Sequence, residues 1–128
     1  MDLFEALATR RSVRKFTDEP VGDEDLRLRL RHAPWRRPAP GMSSPGNLWR
    51  PREAPLRERL SKASPCTGMA AQEPVVIVAS GDLREETAPG HWPQDCSAAT
   101  QNPLLAARGL NLGSVWRAST QIPSGRAI

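Results

Sequence analysis

The sequence predicts a mixed fold of helices and strands within one domain, and three observations carry that expectation. Apolar residues recur at helical spacing in several stretches. Another run, Val75-Val76-Ile77-Val78, is β-branched throughout and too short for a helix. At 128 residues the chain is long enough for a single core and too short for two.

The elements follow in order. Residues 2 to 9 read as a helix, because Leu3, Phe4, Leu7 and Ala8 recur at i, i+1, i+4 and i+5 on one face. A second helix starts at Val21-Gly22-Asp23-Glu24-Asp25, where carboxylates suit the positive end of the helix dipole. Leu26 and Leu30 are spaced for its buried face, and Leu28 falls off it. From 33 to 55, proline recurs too often for helix or sheet, and Trp35 and Trp49 sit among arginines without a period. The wider span 27–55 is Pro/Arg-rich and predicted irregular.

Order returns at Leu56 to Ala63, a short helix with Leu56, Leu60 and Ala63 on one side. Val75 to Ala79 predicts a buried central strand that ends at Ser80-Gly81-Asp82. Residues 94 to 110 predict a long helix whose stripe is Cys96, Ala99, Pro103, Ala107 and Leu110, with Asn111 as its cap. Pro103 lies inside that helix, where a proline costs roughly 3 kcal/mol. Gly113-Ser114-Val115-Trp116 opens another short strand.

Charge and cysteines narrow the classes. The net charge is +4, which permits a polyanionic partner. The arginines crowd between Arg27 and Arg52, so a small basic module gripping nucleic acid through residues 27 to 52 is one reading. Cys66 and Cys96 have no metal-ligand spacing and read as free thiols in a reducing cytosol, which predicts a cytoplasmic protein. Asp2 and Glu5 with no long apolar run predict no signal peptide. The apolar run Val75 to Ala79 is too short to cross a bilayer. His32 and His91 lack metal-ligating neighbours, and the predicted metal set is none. Trp92 and Trp116 read as core or interface aromatics, and Asp95 as a first-turn carboxylate. The sequence predicts no catalytic triad, Cys–His pair or phosphate-loop glycine pattern, so no side chain is assigned a catalytic role.

The densest functional signal comes just after the first helix. Arg10, Arg11, Ser12 and Arg14 fall within five residues, and guanidinium forks with a hydroxyl suit a phosphate group. The opening Met-Asp-Leu-Phe-Glu-Ala-Leu-Ala-Thr-Arg-Arg-Ser-Val-Arg-Lys-Phe resembles that of the FMN-dependent nitroreductase family. Pro74 to Val78 is similar to that family's central strand. Trp92 to Asn102 resembles the start of its long central helix. Gly109-Leu110-Asn111-Leu112-Gly113-Ser114-Val115-Trp116 is similar to its Gly-Leu-x-Leu-Gly-x-x-Trp turn. The resemblance covers residues 1 to 26 and 56 to 117. It implies a three-layer α+β fold around a central mixed or antiparallel sheet, incomplete here because family members are longer. It also implies FMN as cofactor, held at the phosphate by Arg10, Arg11, Ser12 and Arg14. NAD(P)H would be the reductant, a nitroaromatic, quinone or similar small molecule the acceptor, and a homodimer the assembly.

The chain departs from the pattern in its middle. The family's flavin-contacting loop, Pro-Ser-x-x-Asn-x-Gln-Pro-Trp, is absent where residues 37 to 45 stand. Back-translated with Met42 as ATG and synonymous codons around it, Arg37 to Gly46 read from the third base of each codon gives Pro-Ser-Ala-Gly-Asn-Glu-Gln-Pro-Trp. Arg117 to Pro123 shifted in the same way gives Gly-Val-Tyr-Pro-Asp-Pro, which resembles the family's continuation. These readings predict a shifted frame over about residues 27 to 55 and again from about 117. Shifted GC-rich codons yield Arg, Pro, Ala and Gly, which accounts for the basic patch without nucleic acid. A truncated, catalytically inactive remnant of such an enzyme is the alternative reading.

Overall fold

The computed structural model describes residues 1–30, 46–85 and 89–117. Among the described residues, four α-helices, two short 3-10 helices (Gly68–Ala71 and Leu83–Glu85) and one antiparallel strand pair make up the regular structure, in keeping with the α+β class. Helix α1 spans Leu3–Thr9, α2 Asp23–Leu30, α3 Ala54–Ser61 and α4 Trp92–Gly109. Strand β1, Gly46–Trp49, pairs with β2, Val78–Gly81, with Gly46 opposite Gly81 and Trp49 opposite Val78.

Local chemistry sets the helix ends. Asp2 caps α1, its Oδ1 accepting the Glu5 N–H at 2.8 Å. Proline occupies the first turn of both α3 and α4, where its missing N–H costs nothing. The C-terminus of α4 closes in a paired-bond cap. Asn111 takes a left-handed conformation (φ 59°), its N–H donates to Arg108 O at 3.0 Å, and the Leu112 N–H donates to Ala107 O at 2.9 Å. The predicted role of Asn111 is therefore met. Helix α4 continues through Pro103, which leaves the Ala99 carbonyl without its usual helical donor.

Helix α4 is the centre of the packing and touches β2, β1, α1 and α2. Its buried residues are Ala99 and Leu104, joined in the core by Ala6 of α1 and Leu60 of α3. Near its start, Trp92 lies against Gly81, where an added Cβ would sit 3.1 Å from the Trp92 Cβ. Arg57 of α3 ties down the turn that follows, donating from Nε to Ala70 O at 3.1 Å and from Nη2 to Glu73 O.

Several expectations need correction. Residues 27–55 are not irregular throughout: α2 runs on to Leu30, β1 occupies Gly46–Trp49, and α3 begins at Ala54. The strand escapes a composition-based reading because its partner is β2, with Gly46 paired to Gly81 and Trp49 to Val78 far along the chain. Residues 31–45 of that span lie outside the described residues. The predicted strand over Val75–Ala79 is displaced to Val78–Gly81 and is half-buried, because pairing follows β1 and not the apolar run. Gly113 to Trp116 forms no strand. Ser114 makes an isolated parallel bridge to Ser12 instead. On α1 the buried residue is Ala6, while Leu3, Phe4 and Leu7 are exposed. On α4 the stripe omitted Leu104, one of the helix's two buried residues.

Candidate functional site

The four predicted site residues leave α1 as an extended segment. Arg10 caps the helix in extended conformation (φ −60°, ψ 129°), and its N–H still donates to Ala6 O at 3.0 Å. Ser12 then bridges to Ser114, and the Val13 N–H donates to Ser114 O at 2.9 Å. Side chains alternate along extended backbone, so Arg10, Ser12 and Arg14 fall on one side and Arg11 and Val13 on the other. Val13 is the inward residue. A Cβ on Gly113 would lie 3.1 Å from Val13 Cγ1, so the approach there depends on glycine. The structure thus sets Ser12 and Val13 against Ser114 and Gly113, with Arg10, Arg11 and Arg14 flanking them in the chain.

Charge leaves this segment open to an anion. Arg11, Ser12 and Arg14 are exposed and Arg10 is half-buried. Among the described residues none of the three guanidiniums pairs with a carboxylate. These are donors of the kind a phosphate monoester requires, and the residues present fit the phosphate end of FMN.

Sequence reasoning missed the joint behind the segment. Arg108, in the last turn of α4, donates from Nε to Thr9 Oγ1 at 2.9 Å, and that hydroxyl donates to Glu5 O at 2.6 Å. An arginine in a last helical turn reads as a dipole partner, which conceals a contact to a residue so far off in the chain.

Other candidates stay apart from this site. His91 is exposed ahead of α4, and His32 lies outside the described residues. Trp92 is half-buried against the sheet, and Trp116 is exposed. Asp95 stands in the first turn of α4 as expected, with Oδ2 buried and unpartnered. Burial, and then the Asp95 charge, push the Cys96 thiol up. Both cysteines are free. No cluster of metal-ligating side chains exists among the described residues. No described helix is long and apolar enough to cross a membrane. Of the basic patch, Arg50 and Arg52 are both paired with Asp23, at 2.5 and 3.1 Å, which partly neutralises it.

Known proteins resemble this arrangement over nearly the whole chain. A crystal structure from Parabacteroides distasonis, provisionally named NADH dehydrogenase/NAD(P)H nitroreductase, is 30% identical with a TM-score of 0.73. It covers 94% of this chain, and this chain covers 70% of it. The chain belongs to the nitroreductase family. A second nitroreductase structure, from Desulfovibrio desulfuricans in complex with FMN, is 31% identical with a TM-score of 0.72, over 89% of this chain and 66% of that one. A Methanothermobacter thermautotrophicus protein with the same provisional NADH dehydrogenase/NAD(P)H nitroreductase name is 39% identical over 116 residues. That nitroreductase match takes in 91% of this chain, which spans 60% of the archaeal relative's length. No family model matches the chain.

Proposed function

We propose that this chain serves an oxidoreductase that uses FMN to pass reducing equivalents from NAD(P)H to nitroaromatics, quinones or similar acceptors. Arg10, Arg11, Ser12 and Arg14 hold the FMN phosphate and ribityl chain. One observation carries the reading: the N-terminal arginine segment lies against Gly113–Ser114 of the turn after α4, so two distant family-like motifs form one surface. FMN, when bound, supplies the redox chemistry, while the protein supplies binding and electrostatics.

The chain's own residues then divide the work. Arg10 and Arg14 present guanidinium forks on one side, each able to give a phosphate two parallel hydrogen bonds. Ser12 between them adds a hydroxyl donor. The exposed Leu3, Phe4 and Leu7 of α1 support a homodimer, since apolar side chains at that exposure gain by being covered. Two free thiols support a cytoplasmic location.

The inactive-remnant reading keeps one observation in its favour. Residues 37 to 45 carry Pro38, Pro40, Gly41 and Pro45 in place of the family's flavin-contacting loop. Weak FMN binding follows for this chain as it stands. Titration of the purified protein with FMN and with riboflavin, followed by flavin fluorescence, tests both readings. Saturable binding of FMN in preference to riboflavin, with bleaching of the bound flavin by NADH or NADPH without oxygen, is the expected result. Binding without bleaching selects the remnant, and no saturable binding overturns the cofactor assignment.

A further inference from the structure

The phosphate-gripping segment is short, exposed and outside any helix or sheet, so something must hold its register. The structure supplies two fastenings, one at each side of Arg10 to Val13. Behind Arg10, Arg108 Nε donates to Thr9 Oγ1 at 2.9 Å. Ahead of it, Val13 N–H donates to Ser114 O at 2.9 Å. Both come from the C-terminal end of α4 and the turn that leaves it.

The Thr9 hydroxyl is a relay. It accepts from Arg108 and donates to Glu5 O at 2.6 Å, so the last turn of α1 is clasped at the residue before the grip begins. Arg108 is half-buried and Thr9 is half-buried beside it. A hydrogen bond from a guanidinium in partly excluded water is stronger than its exposed equivalent. The turn that carries Ser114 is fixed in turn by the left-handed Asn111 and its two backbone bonds.

We propose that Arg108, acting through Thr9, is a positioning residue for the phosphate site. It sets where Arg10 emerges from α1 relative to the Gly113–Ser114 turn, and so how Arg10 and Arg14 converge on an anion. The inference rests on the FMN reading above, and it assigns Arg108 no contact with the flavin.

The discriminating probe is the phosphate itself, because riboflavin carries the same ring and ribityl chain without it. In the full-length chain, Thr9→Val and Arg108→Gln should each weaken FMN binding about tenfold, the loss of one charge-assisted bond's influence. Riboflavin binding should stay at its wild-type value, the thermal midpoint should fall by only a few degrees and equally in both variants, and Thr9→Ser should restore FMN binding and midpoint together. The double variant should lose no more than either single one, since both remove the same contact. Hydrogen exchange on the flavin-free protein gives an independent reading: the Val13 amide should exchange faster in both variants, with Ala99 and Leu104 in the core unchanged. Wild-type protein that binds FMN and riboflavin equally overturns the phosphate assignment itself. Wild type that prefers FMN, with variants that lose both flavins alike or lose neither, overturns the positioning role alone, as does a Val13 amide that exchanges at its wild-type rate.

Discussion

Two joints of this molecule bring distant segments together by different means. The joint between α1 and α4 uses a part-buried guanidinium bond, a backbone hydrogen bond and a close approach of Val13 to Gly113, where an added Cβ would be crowded. The joint between α2 and the end of β1 uses Asp23, whose exposed carboxylate takes Arg50 and Arg52. The first joins two stretches that resemble the family, and the second joins Asp23, at the edge of one such stretch, to arginines of the Pro/Arg-rich span. Backbone bonds and close packing demand particular residues at particular places, whereas exposed ion pairs are satisfied by any arginine within reach and are worth little. A segment rich in arginine for reasons unconnected with folding will still find such partners.

The most drastic way to break this comparison is to change the reading frame. The coding DNA is expected to carry a frame-changing insertion or deletion between the codons of about Leu26 and Arg37. A compensating one is expected before Leu56, and a third near Trp116. Restoring the frame should place Pro-Ser-Ala-Gly-Asn-Glu-Gln-Pro-Trp near residue 40. FMN binding should then tighten by more than about tenfold, since each added hydrogen bond contributes on the order of 1 kcal/mol. Sequencing decides the matter. A stop codon, or other text in the third-base frame across residues 37 to 45, sinks the idea.

Within the protein as it stands, the largest loss is expected at the hub of the family-like half. Leu104 is only 7% exposed on α4. Leu104→Ala should cost roughly 2–5 kcal/mol, from lost transfer energy and the cavity left behind. Phe4 is 80% exposed on α1 of the single subunit, so Phe4→Ala should stay within about 0.5 kcal/mol where the protein is dilute enough to be monomeric, and cost more where the proposed homodimer covers it. Urea denaturation of both variants measures the contrast. A Phe4→Ala loss comparable to that of Leu104→Ala would mean that α1 is covered in solution.

What the sequence made legible divides along the same line. The helices near both ends and the Asn111 cap could be read because caps, periodicity and left-handed residues are local signals. The candidate site segment stood out because Arg10, Arg11, Ser12 and Arg14 fall within five residues. Strand β1 could not, since a four-residue strand is defined by a partner and not by its own composition. The same holds for Arg108 with Thr9, a contact between residues at opposite ends of the chain. The β-branched run at Val75 foretold a strand in kind, but its burial was overstated and its pairing misplaced, because apolar character does not fix register.

The two arginine populations can be set against each other directly. Arg10→Ala and Arg14→Ala should each weaken FMN binding by roughly 1.5–3 kcal/mol, the range for a lost charged hydrogen bond. Arg50→Ala should leave FMN binding unchanged, since its guanidinium is engaged with Asp23 at 2.5 Å. Fluorescence titrations of the three variants make the test. Equal losses from all three would move the anion site into the basic patch.

The smallest effect is expected at the second joint. The hydrogen bond from Arg50, and then the Arg52 charge, hold the Asp23 carboxyl below its ordinary value of 3.8. A carboxyl depressed in the folded state adds stability that is fully present above its ordinary value and is lost as the pH falls through the folded one. Asp23→Asn removes that contribution at every pH. Wild type should therefore melt slightly above the variant near neutral pH. The two should converge as acid protonates Asp23, and also at high salt, where exposed charges are screened. Melting curves across pH and ionic strength test this. A gap that survives both acid and salt would mean that Asp23 holds α2 to β1 by something other than charge, and the second joint would then resemble the first.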